Sequence, residues 1–205
     1  METITEDIEL EKILDHISWS CYSSFLWDKG QWYQSYIKRI RTTSRELEFG
    51  KMVADSMSTD KPLAPFTRLS VIEHPLNEVF DGIKILGFID TFEPKKNKKK
   101  KYIAGEFKTG KNPWTQKKAE EHGQLKMYSL LLWIQKKIRP EDIEWFLEWA
   151  PTQETGDFRI DFVYPIRIHR FEVRHTMVDI LKFGSEVKKV YKQMLEYIIY
   201  RETHD

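Results

Sequence analysis

The segment 87–111, GFIDTFEPKKNKKKKYIAGEFKTGK, constrains this chain more than any other. Two apolar, strand-like runs flank a connection filled with lysines, the pattern of two strands joined by a solvated turn. The first run carries Asp90, and the second carries Glu106 and Lys108. An antiparallel pairing centred near Lys98 makes facing residue numbers add to about 196, which sets Asp90 opposite Glu106. Side chains alternate along a strand, so Glu106 and Lys108 share one face while Phe107 takes the other. Two acids and a lysine converging on one sheet face suit a metal-dependent centre that cleaves phosphodiesters.

The tripeptide acid-x-lysine is not informative by itself, because the chain contains three: Glu93-Pro94-Lys95, Glu106-Phe107-Lys108 and Glu186-Val187-Lys188. The first abuts the lysine run. The third falls in a helical pattern, where its two charged residues do not share a face. Only Glu106-Phe107-Lys108 sits in an apolar strand with an aspartate placed to face it.

Composition narrows the alternatives. At 205 residues, with 40% hydrophobic and 14% aromatic residues, the chain is globular and long enough to bury a real core. Its net charge is only +1, so a polyanionic partner requires a local basic patch. The single cysteine, Cys21, excludes an internal disulfide, a four-thiolate zinc site and a cysteine-held iron–sulfur cluster. The acidic N-terminus lacks the apolar core of a secretion signal, and no apolar run approaches the roughly 18 residues of a membrane span. A cytoplasmic protein is expected.

In chain order, residues 6–15 read as a short helix or arm. Ser18-Trp19-Ser20 offers an N-cap to a helical run of aromatics (Tyr22, Phe25, Trp27, Trp32, Tyr33, Tyr36) that Gly30 is expected to break. Ser44 opens a second helix over 44–57, with Leu47, Val53 and Met57 as its apolar positions. Strands are expected at 68–73 and 78–80, separated by a turn through His74-Pro75-Leu76-Asn77. Asp81-Gly82 marks a hairpin into the strand 83–92. A long buried helix is expected from Trp114 to about Lys137, with Gln124 and Tyr128 four apart on one face and His122 facing elsewhere. Strands over 144–151 and 159–173 follow, then an amphipathic helix from Thr176 to Arg201. The fold class is α/β: one domain over 1–205, with a central mixed sheet flanked by helices.

Taken together, these residues resemble the PD-(D/E)XK nuclease superfamily. The resemblance rests on Gly87-Phe88-Ile89-Asp90, on Glu106-Phe107-Lys108-Thr109-Gly110-Lys111 and on Gln124-x-x-x-Tyr128. Ile17-Ser18-Trp19-Ser20 and Glu48-Phe49-Gly50-Lys51 are similar to the opening elements of its RecB-type branch, which includes phage recombination exonucleases and CRISPR-adaptation nucleases. The resemblance spans roughly residues 17 to 130. It implies a restriction-endonuclease-like fold and a metal-dependent DNA nuclease, expected to be an exonuclease in recombination, repair or defence. By this resemblance Asp90 and Glu106 hold Mg2+ or Mn2+ with the backbone carbonyl of Phe107. Lys108 activates water, and Gln124 and Tyr128 position Lys108 or the substrate phosphate. Lys98, Lys99, Lys100, Lys111 and Lys117 are the candidate contacts to DNA, single- or double-stranded. A second copy of the chain and a recombination or CRISPR-type protein are the other partners implied, in a bacterial, phage-infected or archaeal cell.

The sequence departs from that branch at one place. The helix glycine, Gly50, is followed four residues later by Ala54 where RecB-type members carry a metal-binding histidine. Asp55, Glu48 or Glu46 is then the candidate substitute acid, or water completes the coordination shell. Two other readings stay open: a nuclease-derived DNA-binding module without turnover, and a dimeric endonuclease.

Overall fold

The structure, a computed structural model, describes residues 14–40, 42–94 and 101–204. The expected arm at 6–15 lies almost wholly outside these residues, as do Lys98, Lys99 and Lys100.

Among the described residues seven strands form one sheet: β1 (Ile17–Ser18), β2 (Val71–Phe80), β3 (Ile83–Glu93), β4 (Tyr102–Gly110), β5 (Ile143–Glu154), β6 (Ile160–Phe162) and β7 (His169–Val173). The sheet is mixed, with β1 parallel to β3 and β4 parallel to β5 and the other pairings antiparallel. The helices are α1 (Trp19–Trp27), α2 (Lys29–Trp32), α3 (Arg45–Ser56), α4 (Gln116–Glu121), α5 (Gly123–Lys136) and α6 (Met177–His204). The expected α/β class and the sheet flanked by helices are therefore present.

Local chemistry sets the boundaries. Ser18 caps α1 by accepting from the Cys21 N–H, and Ser44 caps α3 by accepting from Leu47. The aromatic run breaks at Asp28, not at Gly30. Asp28 leaves the helix in extended conformation and accepts from Gln31 N–H, so one residue ends α1 and caps α2. Strand β2 runs unbroken through Pro75, where a turn was expected. Among the described residues its one partner is β3, so it is an edge strand and tolerates a residue with no N–H to donate. The Asp81-Gly82 hairpin forms as read, with positive φ at both residues. The strand expected over 159–173 is divided into β6 and β7.

Two cores lie on opposite faces of the sheet. The larger packs α1, α2, α5 and α6 against it and buries Phe25, Trp32, Tyr128, Trp145, Leu147 and Met194 among others. The smaller holds α3 and the segment after it, through Phe49, Val53, Met57, Ala64, Phe66, Ala150 and Phe162. Leu47, expected in this core, is exposed, and Phe49 is buried from the same helix.

The edges of β3 position the site. Strand β2 occupies one edge along its whole length. The other edge is shared, with β1 pairing at Ile85–Leu86 and β4 at Thr91–Glu93. Between them, at 87–90, that edge has no strand partner among the described residues. The buried side chains also change phase here: Ile85 and Ile89 bury two by two, and then Phe92, three residues on, faces the same core. The bend shows in β2 as well, where Glu73 adopts φ 53° and drops out of the ladder opposite Asp90.

At Gly105 the backbone of β4 lies against Phe146, and an added Cβ would collide with that ring and stand 2.8 Å from Thr91 Cγ2. Gly105→Ala is expected to cost about 2 kcal/mol through overpacking, read as a fall of roughly 4–8 °C in Tm by calorimetry.

Candidate active site

The β3–β4 ladder has the register expected from sequence: Thr91 faces Gly105, Phe92 faces Ala104 and Glu93 faces Ile103. It stops one step short of Asp90 and Glu106. There the strands part, and the Asp90 carboxylate takes over the work of the ladder. Its Oδ2 accepts from the Phe107 backbone N–H at 2.6 Å. A cleft of about 450 Å3 opens at this point, lined by Asp90, Glu106, Phe107, Lys108 and Thr109 from the sheet. Glu46, Leu47, Gly50, Lys51 and Ala54 of α3 form its opposite wall.

Glu106 lies behind the cleft surface and is almost fully buried. Its Oε1 accepts from Lys108 Nζ at 2.6 Å and from Gln124 Nε2 at 2.6 Å. Its Oε2 is buried with no hydrogen-bond partner. Gln124 ties the group together. Besides holding Glu106, its amide nitrogen donates to Tyr128 Oη at 2.8 Å, and its amide oxygen accepts from Lys108 Nζ at 2.7 Å. Tyr128 reaches this position by packing closely against Gly87, where a Cβ would come within 2.6 Å of its ring. The glycine three residues before Asp90 thus makes room for the tyrosine.

The electrostatics follow from burial. Desolvation, with Glu106 alongside, pushes the Asp90 carboxyl up to about 8. Burial raises Glu106 as well, against the pull of Lys108 and the Gln124 amide. Tyr128 is pushed well above the usual phenol range, by burial first and by Glu106 next. The site therefore holds two carboxyl groups that resist carrying charge together with only one lysine beside them. A buried acid oxygen lacks a partner. That donor set suits a hard divalent cation, which needs few protein ligands and keeps several waters. Among the described residues no group of three or more His, Cys, Asp or Glu side chains is close enough to hold an ion. A cation here would rest on Asp90, Glu106 and backbone oxygen, with water or phosphate completing its shell.

Not every candidate residue reaches the cleft. Asp55 does not line it. It is exposed and paired with Lys51 at 3.0 Å, because one residue beyond Ala54 is a rotation of about 100° around the helix. Glu46 is the acid of α3 that lines the cleft. Lys111 pairs with Glu154 at 2.9 Å, and Lys117 lies 3.9 Å from Glu121, both away from the cleft.

His122 does not face elsewhere. The expected single helix is interrupted at this residue, which ends α4 and precedes α5 in extended conformation (φ −66°, ψ 113°), so helical spacing does not govern its direction. Its Nε2 lies 3.1 Å from Gln124 Oε1. Glu73 was also missed, although the hairpin at Asp81-Gly82 fixes a register that sets it across from Asp90, and its charge adds to the upward push on that carboxyl.

Comparison with solved structures supports the fold. The chain is similar to the crystal structure of a protein from Eubacterium rectale provisionally named an exonuclease. The TM-score is 0.54 at 12% identity, covering 94% of this chain and 83% of that one. A second likeness, to the crystal structure of SSO0001, has a TM-score of 0.46 at 16% identity over 94% of this chain and 85% of that one, too low to carry an argument. No protein-family model and no curated protein matches the chain. What is shared is a single α/β domain with a mixed sheet.

The raised Asp90 carboxyl has a consequence for stability. Its folded pKa, about 8, lies above its ordinary value of 3.8, so the folded state retains a proton that the unfolded chain gives up. Stability is then undiminished below about pH 4, is lost progressively as pH rises, and levels off above pH 8. Asp90→Asn removes this loss. In metal-free buffer the variant is expected to gain on the wild type from pH 5 to pH 9, by at most about 5 kcal/mol, as measured by urea unfolding at each pH.

Proposed function

We propose that this protein is a metal-dependent DNA nuclease of the RecB type, hydrolysing phosphodiester bonds as an exonuclease. One observation carries the reading: at the parting of β3 and β4, Asp90 and Glu106 lie next to Lys108 in an open cleft, with Glu106 Oε2 buried and unpaired. The fold shared with a protein named as an exonuclease and the resemblance of Asp90, Glu106-Phe107-Lys108 and Gln124-x-x-x-Tyr128 to that branch point the same way.

Asp90 and Glu106 would hold Mg2+ or Mn2+, with the Phe107 carbonyl contributing a third oxygen. When bound, such an ion neutralises the scissile phosphate and acidifies a coordinated water. The remaining work falls to the chain. Lys108 Nζ, oriented by Glu106 Oε1 and Gln124 Oε1, has a third proton to direct at the attacking water or at a phosphate oxygen. Phe107 N–H fixes one oxygen of the Asp90 carboxylate at the cleft. Tyr128 braces Gln124 from behind.

Linear and circular DNA incubated with Mg2+ or Mn2+ tests the reading. Cleavage of linear DNA by the wild type is expected to fall at least 100-fold in Lys108→Ala. Equal rates for the two proteins would sink the proposal. The alternative, a binding module without turnover, is favoured by Ala54 in the cleft wall; it predicts salt-sensitive DNA binding with no cleavage in either protein.

The protonation state of Asp90 gives a second test. A carboxyl with a pKa of about 8 is mostly protonated at pH 7, so a cation must displace that proton. Calorimetry of Mn2+ binding in buffers of different ionisation heat is expected to show about one proton released at pH 6.5. Affinity should rise close to tenfold per pH unit up to pH 8, and Asp90→Asn should lose both effects.

A further inference from the structure

We infer that His122 is a positioning residue for Lys108, acting through the Gln124 amide; this rests on the nuclease reading of the same site. The assignment follows from which groups can donate. Lys108 can only donate, and it stands between Glu106 Oε1 and the Gln124 amide oxygen, so the amide nitrogen is the atom that faces Glu106 Oε1, at 2.6 Å. The same nitrogen gives its second proton to Tyr128 Oη. The amide oxygen is thereby turned to the opposite side, where Lys108 Nζ stands at 2.7 Å and His122 Nε2 at 3.1 Å. An amide oxygen can accept twice, so His122 carries its proton on Nε2 and donates it to Gln124. All four polar positions of the amide are then occupied, and rotation of the amide would break every one of these bonds.

His122 is itself held on two sides. Its ring meets Trp19 edge-on with centroids 5.1 Å apart and Trp114 edge-on at 4.9 Å. Trp19 comes from α1 and Trp114 from the segment ahead of α4, so two distant parts of the chain fix one imidazole. Next to it, Gly123 lets the Trp19 ring approach so closely that a Cβ would lie 2.6 Å from it. The backbone supports the same role: His122 makes no side-chain cap to α5, the duty expected of a polar residue at that position. Its side chain turns to the amide instead. Burial and the neighbouring Lys108 charge keep the ring neutral, with a pKa near 4, so a single tautomer serves across the working pH range.

His122 also lines a second cavity of about 400 Å3 with Trp19, Thr115, Lys117 and Lys118. Gln124 Oε1 is the atom on which the imidazole and the lysine both converge.

Three variants separate positioning from packing. His122→Phe keeps the aromatic contacts with Trp19 and Trp114 but has no proton to give. His122→Gln presents an amide N–H close to the place of Nε2. Tyr22→Phe serves as a control in the same core, away from the amide network. If His122 positions Lys108, His122→Phe lowers kcat about tenfold with KM within about twofold and Tm close to wild type. His122→Gln restores kcat to within about threefold, and Tyr22→Phe leaves it unchanged. Equal kcat in His122→Phe and wild type overturns the assignment, as does a loss that His122→Gln fails to restore. If the wild type shows no cleavage, it is the nuclease reading that fails. The positioning role is then decided by a crystal structure of His122→Phe: displacement of the Gln124 amide from Lys108 supports it, and an unmoved amide overturns it.

Discussion

Two carboxyl groups forced close together out of water set the terms for the rest of this molecule. Neither Asp90 nor Glu106 is comfortable as a charged group where it lies, both because of burial, and Glu106 adds to the push on Asp90. The surrounding structure supplies what tolerance they have. The Phe107 N–H, freed because the ladder ends, goes to Asp90. Lys108 and Gln124 both attend to one oxygen of Glu106 and leave the other without a partner. Strand β3 is bent and its edge left open at the same place, and Glu73 takes a left-handed conformation beside the bend. A sheet selected only for stability would continue its ladder through Asp90 and bury an apolar pair. This one interrupts itself there, and a vacancy in the electrostatics coincides with a vacancy in the hydrogen bonding.

Much of this was legible in the sequence, for identifiable reasons. A tightly specified turn, Asp81-Gly82, fixed one register. The symmetric placement of two apolar runs about a lysine connection fixed the other, to the residue. Strand alternation then put Glu106 and Lys108 on a common face. The α/β class followed from the order of elements.

Other features were hidden because they depend on which face a helix turns to the sheet and on where it breaks. Asp55 was a reasonable substitute for a missing histidine until the phase of α3 showed Ala54 lining the cleft and Asp55 turned to solvent. Helical spacing turns His122 away from Gln124, and that spacing ceases to apply where the helix breaks at this residue. Helix boundaries are the least certain part of any pattern reading, and a shift of one residue moves a side chain by more than a quarter turn. Strand β2 was hidden for another reason, since Pro75 reads as a breaker unless the strand is known to have only one neighbour.

The two cores differ greatly in extent, and the cleft is built across both. Its floor belongs to strands anchored in the larger core, which also holds α5 and α6. Its far wall, α3, rests on the smaller core, a set of seven buried side chains that includes Phe49, Val53 and Met57. Moving α3 outward would disturb that small core, the side chains such as Phe107 and Ile160 packed against it and the Arg45 bond to Phe158, while any displacement of Asp90 or Glu106 would strain the main body of the protein. The two walls of the cleft thus answer to different parts of the fold: lost packing beneath α3 would loosen one of them and leave the other, set in the main core, where it is.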